Sequence, residues 1–372
     1  MKFTIERALL LRSLGHVQSV VERRNTIPIL NNVLLNAGKN VLRLTATDME
    51  LAIAETVPAD TGSPAAITAP AHTFYDIVRK LPDGAQVQVE SVDGDSQIVV
   101  SSGRYTSQLA CLPPADFPAL GDDDLPTRFT LPADAARALI DHTRFAISNE
   151  ETRYYLNGIY IHATKRDGTP VLRAVATDGH RLARFDVPLP KDAADMPGVI
   201  VPRKMVNEWR KLIDESDSDI EVSLSDAKIR IAFDDVTLTS KLIDGTFPDY
   251  ERVIPRGNDR TMDVPRKAFS EAVDRVSTIS TEKSRAVKLA IRNGTVTLSA
   301  SSLDQGSAEE QVEVDYAGEE MDVGFNSRYL LDIVSQIQGE KANFRLGDAA
   351  SAAIVGDCDD ANALYVLMPM RV

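Results

Sequence analysis

The stretch Leu42-Arg43-Leu44-Thr45-Ala46-Thr47-Asp48 returns about 130 residues later as Leu172-Arg173-Ala174-Val175-Ala176-Thr177-Asp178. A weaker copy lies at Val296-Thr297-Leu298-Ser299-Ala300-Ser301-Ser302. A period this long indicates repeated whole domains rather than the turns of a solenoid. A chain of 372 residues has room for three such domains. We therefore predict an α+β fold of three repeated domains, over residues 1–125, 126–255 and 256–372, each with two helices and antiparallel sheets.

Six segments have the spacing of apolar residues that is typical of amphipathic helices. In the first of them, Leu10, Leu14, Val17 and Val21 recur at helical spacing. Short β-rich runs precede the second, fourth and sixth segments, and alternating strands flank the turn at 234–235. Each repeat therefore divides into two similar halves, each with one helix and several strands. We predict helices over 6–24, 71–81, 133–148, 202–213, 265–280 and 326–339.

The composition is that of a globular protein, with 43% apolar and 26% charged residues. No run of apolar residues is long enough to span a membrane, and the N-terminus lacks the features of a signal peptide. The two cysteines, Cys111 and Cys358, are too few for a disulfide framework or a cysteine-based metal site. We therefore expect a cytoplasmic protein.

Charge is divided unevenly along the chain. The net charge of −14 argues at first sight against binding to nucleic acid. The six predicted helices, however, hold 16 Lys and Arg against 9 Asp and Glu, whereas the rest of the chain holds 25 against 46. One interpretation is that the helices have ordinary solvated faces. The other is that all six face a common polyanion, which they contact through phosphates without reading sequence.

Simple geometry tests the second interpretation. A domain of this size has a diameter of about 35 Å, so three domains in contact leave a hole of only about 5 Å and six leave about 35 Å. Duplex DNA is roughly 20 Å across. One chain therefore cannot encircle DNA, whereas a head-to-tail dimer can.

Motifs for catalysis are absent from the sequence. It contains no phosphate-binding loop, no dinucleotide fingerprint and no zinc-protease motif, and its five histidines lack the spacing of metal ligands. Asp178 and His180 are the one candidate for a catalytic pair, but Gly179 between them indicates a turn and no serine lies on a recognisable elbow. We expect no catalytic residue, metal or cofactor, and retain an enzyme that uses Asp178 and His180 as the alternative.

Four segments have compositions that a purely structural role does not explain: Arg153–Gly158, Thr177–Leu182, Phe247–Tyr250 and Tyr365–Val372. The last is apolar and rich in methionine, although a free terminus is normally polar. Methionine side chains suit an adaptable groove that accepts several partners. The other interpretation is that 366–370 form a last strand that completes the sheet of the third repeat, and both interpretations can hold.

Taken together, these segments resemble the bacterial sliding clamp family, the beta subunit of DNA polymerase III. The likeness runs from Met1-Lys2-Phe3-Thr4 to Met368-Pro369-Met370-Arg371 and includes 26–30, 201–204 and 239–242. It implies a head-to-tail homodimeric ring of six domains around duplex DNA. Such a ring is a processivity factor without catalytic activity, which tethers the polymerase and is opened by an ATP-dependent loader.

The resemblance also implies a peptide-binding groove between the second and third domains. Its partners would be short linear motifs of replicative and translesion polymerases, the clamp loader and mismatch-repair proteins. The matching positions are Arg153, Tyr155, Leu156, Thr177, Gly179, His180, Arg181, Leu182, Pro248, Arg252, Val253, Asn326, Tyr329, Val366, Met368, Pro369, Met370 and Arg371.

Two further surfaces follow from the resemblance. Residues that match or by charge suit DNA contacts are Arg24, Arg79, Lys80, Tyr154, Arg203 and Lys204. The dimer interface is expected at Arg104, Leu109, Thr278, Ile279, Glu309 and Glu310. Ser107 and Thr278 stand where larger apolar residues are expected, and Glu251 stands where a basic residue is common. A weakly closed ring would favour a different function, a non-replicative partner-binding scaffold that works off DNA.

Overall fold

The computed structural model describes residues 1–118, 124–280 and 285–372. Half of the acidic stretch 121–126, which the sequence predicts as the linker between the first two domains, lies outside these described residues. Within them, all six predicted helices are confirmed, and each is shorter than predicted. Proline explains three of the starts, because Pro70, Pro202 and Pro265 each end the strand that precedes a helix. The helices are α1 Arg7–Gln18, α2 Ala71–Lys80, α3 Ala133–Asp141, α4 Arg203–Ile213, α5 Arg266–Ser277 and α6 Ser327–Val334.

Strands make up most of the remaining structure, and no helix in the described ranges has the length and apolar content needed to cross a bilayer. The strands are β1 Lys2–Glu6, β2 Asn32–Gly38, β3 Val41–Thr47, β4 Leu51–Pro58, β5 Asp60–Thr61, β6 Ala65–Pro70, β7 Gln86–Val92, β8 Gln97–Ser102, β9 Tyr105–Ala110, β10 Thr127–Leu131, β11 Gly158–Arg166, β12 Thr169–Thr177, β13 Arg181–Pro188, β14 Val199–Pro202, β15 Ile220–Leu224, β16 Lys228–Phe233, β17 Val236–Lys241, β18 Arg260–Pro265, β19 Ala286–Arg292, β20 Thr295–Ser302, β21 Gly306–Glu313, β22 Met321–Asn326, β23 Lys341–Leu346, β24 Ala353–Asp357 and β25 Ala363–Leu367.

The chain forms two compact units, and each contains one eight-stranded antiparallel sheet and one smaller sheet. The first unit comprises Met1–Asp134, Lys191–Asp195 and Lys204–Leu242. Its sheets have the orders β10-β15-β16-β17-β4-β3-β2-β6 and β5-β1-β7-β8-β9. The second unit comprises Ala135–Pro190, Met196–Arg203 and Ile243–Val372, with the orders β14-β11-β12-β13-β25-β24-β23-β18 and β21-β20-β19-β22. Both eight-stranded sheets combine strands from two successive repeats.

The repeated phrase forms the same turn in each unit, between β3 and β4 and between β12 and β13. The hydroxyls of Thr47 and Thr177 donate to the carbonyl oxygen four residues later, at 3.0 and 2.7 Å. The carboxylates of Asp48 and Asp178 accept two backbone N–H groups each, over 2.7–3.0 Å. The repeated phrase therefore forms the same hydrogen-bonded turn in both units. Its Thr and Asp side chains bond backbone groups that have no partner in the strand ladder.

The third residue of each turn has a left-handed backbone. Gly179 has φ +87°, as glycine readily does, whereas Met49 has φ +79° and holds the same conformation with a side chain. Gly179 has a second reason to be glycine, because a Cβ there would lie 2.5 Å from Arg153 Nη1. The turn predicted from Gly179 is confirmed, and within it the Asp178 carboxylate accepts the backbone N–H of His180 at 2.9 Å.

A hydrogen-bonded cluster of polar side chains lies beside α1 in the first unit. The buried carboxylate of Glu55 accepts from Ser13 Oγ at 2.9 Å and lies 2.7 Å from His16 Nδ1. The other ring nitrogen of His16 lies 3.2 Å from Glu215, which also accepts from Arg12 Nε at 2.9 Å. Burial opposes protonation of His16, but the hydrogen bonds and negative charges of the two glutamates outweigh it and raise the His16 pKa.

We expect this cluster to make the stability of the first unit depend on pH. Because the folded pKa of His16 lies above its unfolded value of about 6.5, the protonated histidine stabilises the fold fully below that value and loses this contribution as pH rises through the folded pKa. The free energy of unfolding of wild type relative to His16→Gln should therefore be largest in acid and fall toward pH 8.5. Urea unfolding at several pH values measures this difference, and a difference that grows with pH would contradict the prediction.

Candidate partner-binding groove

The last strand and the turn after β12 meet in the second unit. Strand β25 pairs with β13, with Val366 opposite Leu182. After β25 ends at Leu367, the chain continues beside the turn, where the Met368 N–H donates to the carbonyl of His180 at 2.9 Å. The Met370 N–H then donates to the carbonyl of Gly324 at 2.8 Å. The last strand predicted at 366–370 therefore exists but lies three residues earlier, at Ala363–Leu367, and its sheet belongs to the second repeat as well as the third.

The floor beside this meeting point is apolar. Leu156, Leu182 and Val366 belong to one buried cluster, and Tyr155 packs against it. Two large apolar side chains remain exposed nearby in the sequence segments that end the second and third repeats: Val253 is 55% exposed and Met368 45%. Exposed apolar groups with a buried apolar floor are typical of a site that binds a partner's side chains.

Arg181 lies behind the turn and holds it in place. Its side chain is buried and each of its three nitrogens donates a hydrogen bond: Nε to Asp178 at 3.1 Å, Nη1 to Asp332 at 2.5 Å and Nη2 to the Phe145 carbonyl at 2.6 Å. Its guanidinium also lies 4.3 Å from the centre of the Tyr329 ring. Because Arg181 is buried and already paired with Asp178 and Asp332, it supports the turn from inside rather than offering a free charge to a partner.

Several other predicted groove residues also carry structural contacts. Arg153 Nη2 donates to the Asp178 carbonyl at 3.1 Å. The His180 ring is stacked on Tyr329, with 6.2 Å between ring centres, and burial raises the pKa of the Tyr329 hydroxyl. Asn326 caps α6 by accepting the N–H groups of residues 328 and 329. These contacts hold the walls of the groove before any partner binds.

The remaining predicted groove residues lie at its edges. Pro248 and Arg252 are exposed, and Arg252 Nε lies 2.7 Å from a carboxylate oxygen of Asp249. Pro369 and Met370 are half-buried and Arg371 is exposed. The second unit thus brings all the predicted groove residues, from Arg153 to Arg371, into one compact body.

A buried charged network beside the groove was missed by the sequence analysis. Arg173 donates to both carboxylate oxygens of Asp186, at 2.6 and 2.9 Å, and both residues are buried. Its Nη1 also donates to the Tyr250 hydroxyl at 3.3 Å and to Glu251 at 3.0 Å. Desolvation opposes charge on Arg173, but these hydrogen bonds outweigh it and raise the pKa. Glu251, unusual in the sequence, is therefore explained as a partner of Arg173.

The predicted DNA-binding residues fall into exposed and engaged groups. Arg24, Lys80 and Tyr154 are exposed, and Arg79 is exposed with a 3.0 Å ion pair to Asp76. Arg203 donates to the Asn149 side chain and to the Ser148 carbonyl. The Lys204 ammonium donates to the Val20 carbonyl at 3.2 Å and pairs with Glu22 at 3.4 Å and with Asp48.

The predicted interface residues lie on or beside two edge strands. Strand β9 is the last strand of its sheet, and it carries Leu109, which is buried, and Ser107, whose hydroxyl is buried without a hydrogen-bond partner among the described residues. Arg104 immediately precedes it. Strand β21 is the last strand of the other small sheet and carries Glu309 and Glu310. Thr278 and Ile279 follow α5, which packs against β21.

The two glutamates of β21 differ in their contacts. Glu310 accepts two hydrogen bonds from Arg275, at 2.9 and 2.6 Å, which lower its pKa. Glu309 is exposed and has no ion pair with any described residue. In the part of the chain that the structure describes, no group of three His, Cys, Asp or Glu side chains could hold a metal ion.

Comparison with known proteins identifies the family. Models of the DNA polymerase III beta subunit match in order: the N-terminal domain over residues 1–121, the central domain over 130–249 and the C-terminal domain over 251–371. A beta sliding clamp of Caulobacter vibrioides is 52% identical over 372 residues, which is 100% of both chains.

Solved structures give the same result. A sliding clamp of Bartonella birtlesii bound to griselimycin superposes with a TM-score of 0.97 at 50% identity, and one of Caulobacter crescentus with 0.95 at 51%; both comparisons cover 100% of each chain. The chain belongs to the DNA polymerase III beta subunit family, the bacterial beta sliding clamps. Its function is that of a DNA sliding clamp and processivity factor in replication.

Proposed function

We propose that two copies of this chain close head to tail into a ring of six domains around duplex DNA, with domain boundaries near residues 125 and 255. The observation that carries this proposal is the pair of exposed edge strands, β9 and β21. Unpaired edges of this kind are aggregation hazards unless something covers them. A β9 edge preceded by Arg104 and a β21 edge with free Glu309 are complementary in charge, so each edge suits the other on a second copy.

A nicked circular duplex tests the ring. The protein is loaded with a clamp loader and washed in high salt, and the circle is then linearised. Retention on the circle and loss on linear DNA would support encirclement, because phosphate contacts alone are weakened by salt on both forms. Equal retention on both forms, or loss from both in salt, would overturn the ring and favour a partner-binding scaffold that works off DNA.

Ring closure should respond to charge reversal at the two edges. Arg104→Glu or Glu309→Arg alone should weaken the dimer by roughly tenfold, because each brings like charges together. The double variant should recover most of the loss. Dimer dissociation measured by sedimentation at low protein concentration gives the values. Glu310→Arg is the contrasting variant, since it also removes the bond to Arg275 and should not be rescued by Arg104→Glu.

We propose that the phosphates of DNA slide past basic contacts that include Arg24. We also propose that Lys204 affects DNA binding indirectly, by holding the loop that carries Arg24. Lys204 binds Val20 and Glu22 just before Arg24, so its loss would let the loop move. We expect Arg24→Ala to weaken binding to a short duplex on the order of fivefold, or about 1 kcal/mol. Lys204→Met should weaken it similarly, but add nothing in the Arg24→Ala background.

Fluorescence anisotropy over a salt series measures both effects. Additive losses of affinity would show that Lys204 contacts phosphates directly, as predicted from its charge. The double variant would then also show a weaker salt dependence than Arg24→Ala alone. Lys241→Met is the matched control, because it removes a lysine from the same unit that pairs with Glu50 at 2.8 Å and not with the loop.

We also propose that the groove of the second unit binds short linear motifs of polymerases, the clamp loader and mismatch-repair proteins. Its apolar floor, supported turn and exposed Met368 suit an extended peptide with large apolar side chains. In this proposal the protein is not an enzyme, and His180 contributes to a wall of the groove. It would work in the cytoplasm, where bacterial DNA is replicated. His180→Ala should then weaken peptide binding without abolishing any turnover.

A further inference from the structure

A cavity of about 610 Å³ opens in the second unit next to the groove. Its apolar lining, which we call the mouth, includes Val253 and Met368, the two exposed apolar side chains already placed at the groove. Its polar lining, which we call the floor, includes Asp259, Arg260 and Asp348. The cavity is therefore continuous with the groove but has a different chemical character.

The floor of the cavity is held rigid by one side chain. The Asn258 amide donates to the Arg345 carbonyl and to the Ala352 carbonyl, each at 2.9 Å, so it joins the segment 256–260 to the loop after β23. Gly347 is packed against it, because a Cβ there would lie 2.9 Å from Asn258 Oδ1. A cavity fixed by such bonds is formed before a ligand arrives and requires little ordering on binding.

The charges around the floor leave a negative excess. Arg260 is already engaged, since its Nη2 donates to Glu319 at 2.6 Å and its Nη1 to the Gly347 carbonyl at 3.1 Å. Asp259 has no ion pair or hydrogen bond with a described residue. The hydroxyl of Ser351 and nearby backbone N–H groups lower the pKa of Asp348, which keeps it ionised. Two lining carboxylates, Asp259 and Asp348, therefore share one lining cation, because Arg260 acts on Asp348 through its charge while its Nη2 is held by Glu319.

We propose that this cavity is an additional subsite for partner peptides, and that it takes a basic side chain next to the motif held in the groove. The inference rests on the proposed peptide-binding function of the groove. An extended chain that leaves the groove past Val253 and Met368 enters the cavity directly. The aliphatic part of a lysine or arginine side chain would contact the apolar mouth while its charge meets Asp259 and Asp348.

A peptide panel tests this subsite. A fluorescent peptide copied from the clamp-binding segment of a bacterial replicative polymerase is used without extension, and with a short arm that carries Lys, Ala or Glu at either end. At low salt, we expect the Lys arm at one end to bind about 3- to 10-fold more tightly than the Glu arm. Asp259→Asn combined with Asp348→Asn should remove this preference and leave the affinity of the unextended peptide within about twofold.

Two further variants complete the experiment. Ser351→Trp fills the cavity and should abolish the effect of the arm without affecting the unextended peptide. Asp304→Asn, an exposed aspartate on the β20–β21 hairpin, removes a charge elsewhere and should preserve the preference. Equal affinity for the Lys and Glu arms at both ends, or a preference for Glu, would overturn the subsite alone. A wild-type chain that does not bind the unextended peptide would overturn the groove proposal, and the subsite with it.

Discussion

Ending the chain at Leu367 should abolish binding of partner peptides, with a loss of at least about 30-fold, while the fold persists. The deletion leaves β25 complete, and it removes Met368, Pro369 and Met370 from the proposed groove. Anchoring positions in interfaces typically contribute about 2 kcal/mol or more each, which corresponds to roughly 30-fold in affinity. The carbonyls of His180 and Gly324 lose their partners, but they can be hydrated at this edge of the unit.

Peptide anisotropy and thermal unfolding, measured together, separate binding from folding. The point variants Met368→Ala and Met49→Ala provide a matched comparison, because these methionines are similarly exposed, at 45% and 49%, beside equivalent turns of the two repeats. We expect Met368→Ala to weaken binding and Met49→Ala to leave it unchanged. Full peptide affinity in the truncated chain would show that the groove lies elsewhere.

Asp186→Ala should destabilise the second unit by about 3–5 kcal/mol, because it leaves the buried guanidinium of Arg173 without its main partner. Both residues are about 2% exposed, so water cannot replace the lost carboxylate. The double variant Arg173→Met with Asp186→Leu should recover most of this stability, since it removes both buried charges. Glu251 and Tyr250 do not prevent this recovery, because Glu251 is exposed and the Tyr250 hydroxyl also lies 3.0 Å from His162 Nε2.

Urea unfolding followed by circular dichroism gives these free energies. Glu90→Ala is the control for loss of an ion pair at the surface, because Glu90 and Lys2 are paired at 3.2 Å with both side chains more than half exposed. It should cost less than about 1 kcal/mol. If Asp186→Ala lowers the free energy of unfolding no more than Glu90→Ala does, the network beside the groove does not contribute to stability as proposed.

The helices and the turns were predictable, because their signals are local. The helical spacing of Leu10, Leu14 and Val17 survives in α1, where all three are buried. Gly179 predicted the turn after β12, and this was possible because the hydrogen bonds that form the turn lie within five residues. The shorter helix ends were not predicted. Pro202 and Pro265 belong to preceding strands, a choice that depends on pairing with residues far away in sequence.

The composition of the groove was predicted mainly through resemblance, and the sequence could not separate its walls from their supports. Arg181 is one of three charged residues in β13, so no local signal in the sequence shows that it is held from within. Its partner Asp332 lies 151 residues away. Asp186 lies only 13 residues from Arg173, but the pairing register of β12 and β13 decides that the two are opposite each other. The cavity beside Val253 depends on segments that are distant in sequence.

By itself, the sequence determined the threefold repeat, the α+β class, the six helices and the uneven division of charge, because each depends on the type and spacing of nearby residues. Only the tertiary structure decided that Val366 pairs across repeats with Leu182, that Glu310 is already held by Arg275, and that Lys204 holds the loop before Arg24. The physical reason is that sheet pairing and ion pairing join groups distant in sequence. Their partners are chosen by the packing of the whole unit rather than by local preference.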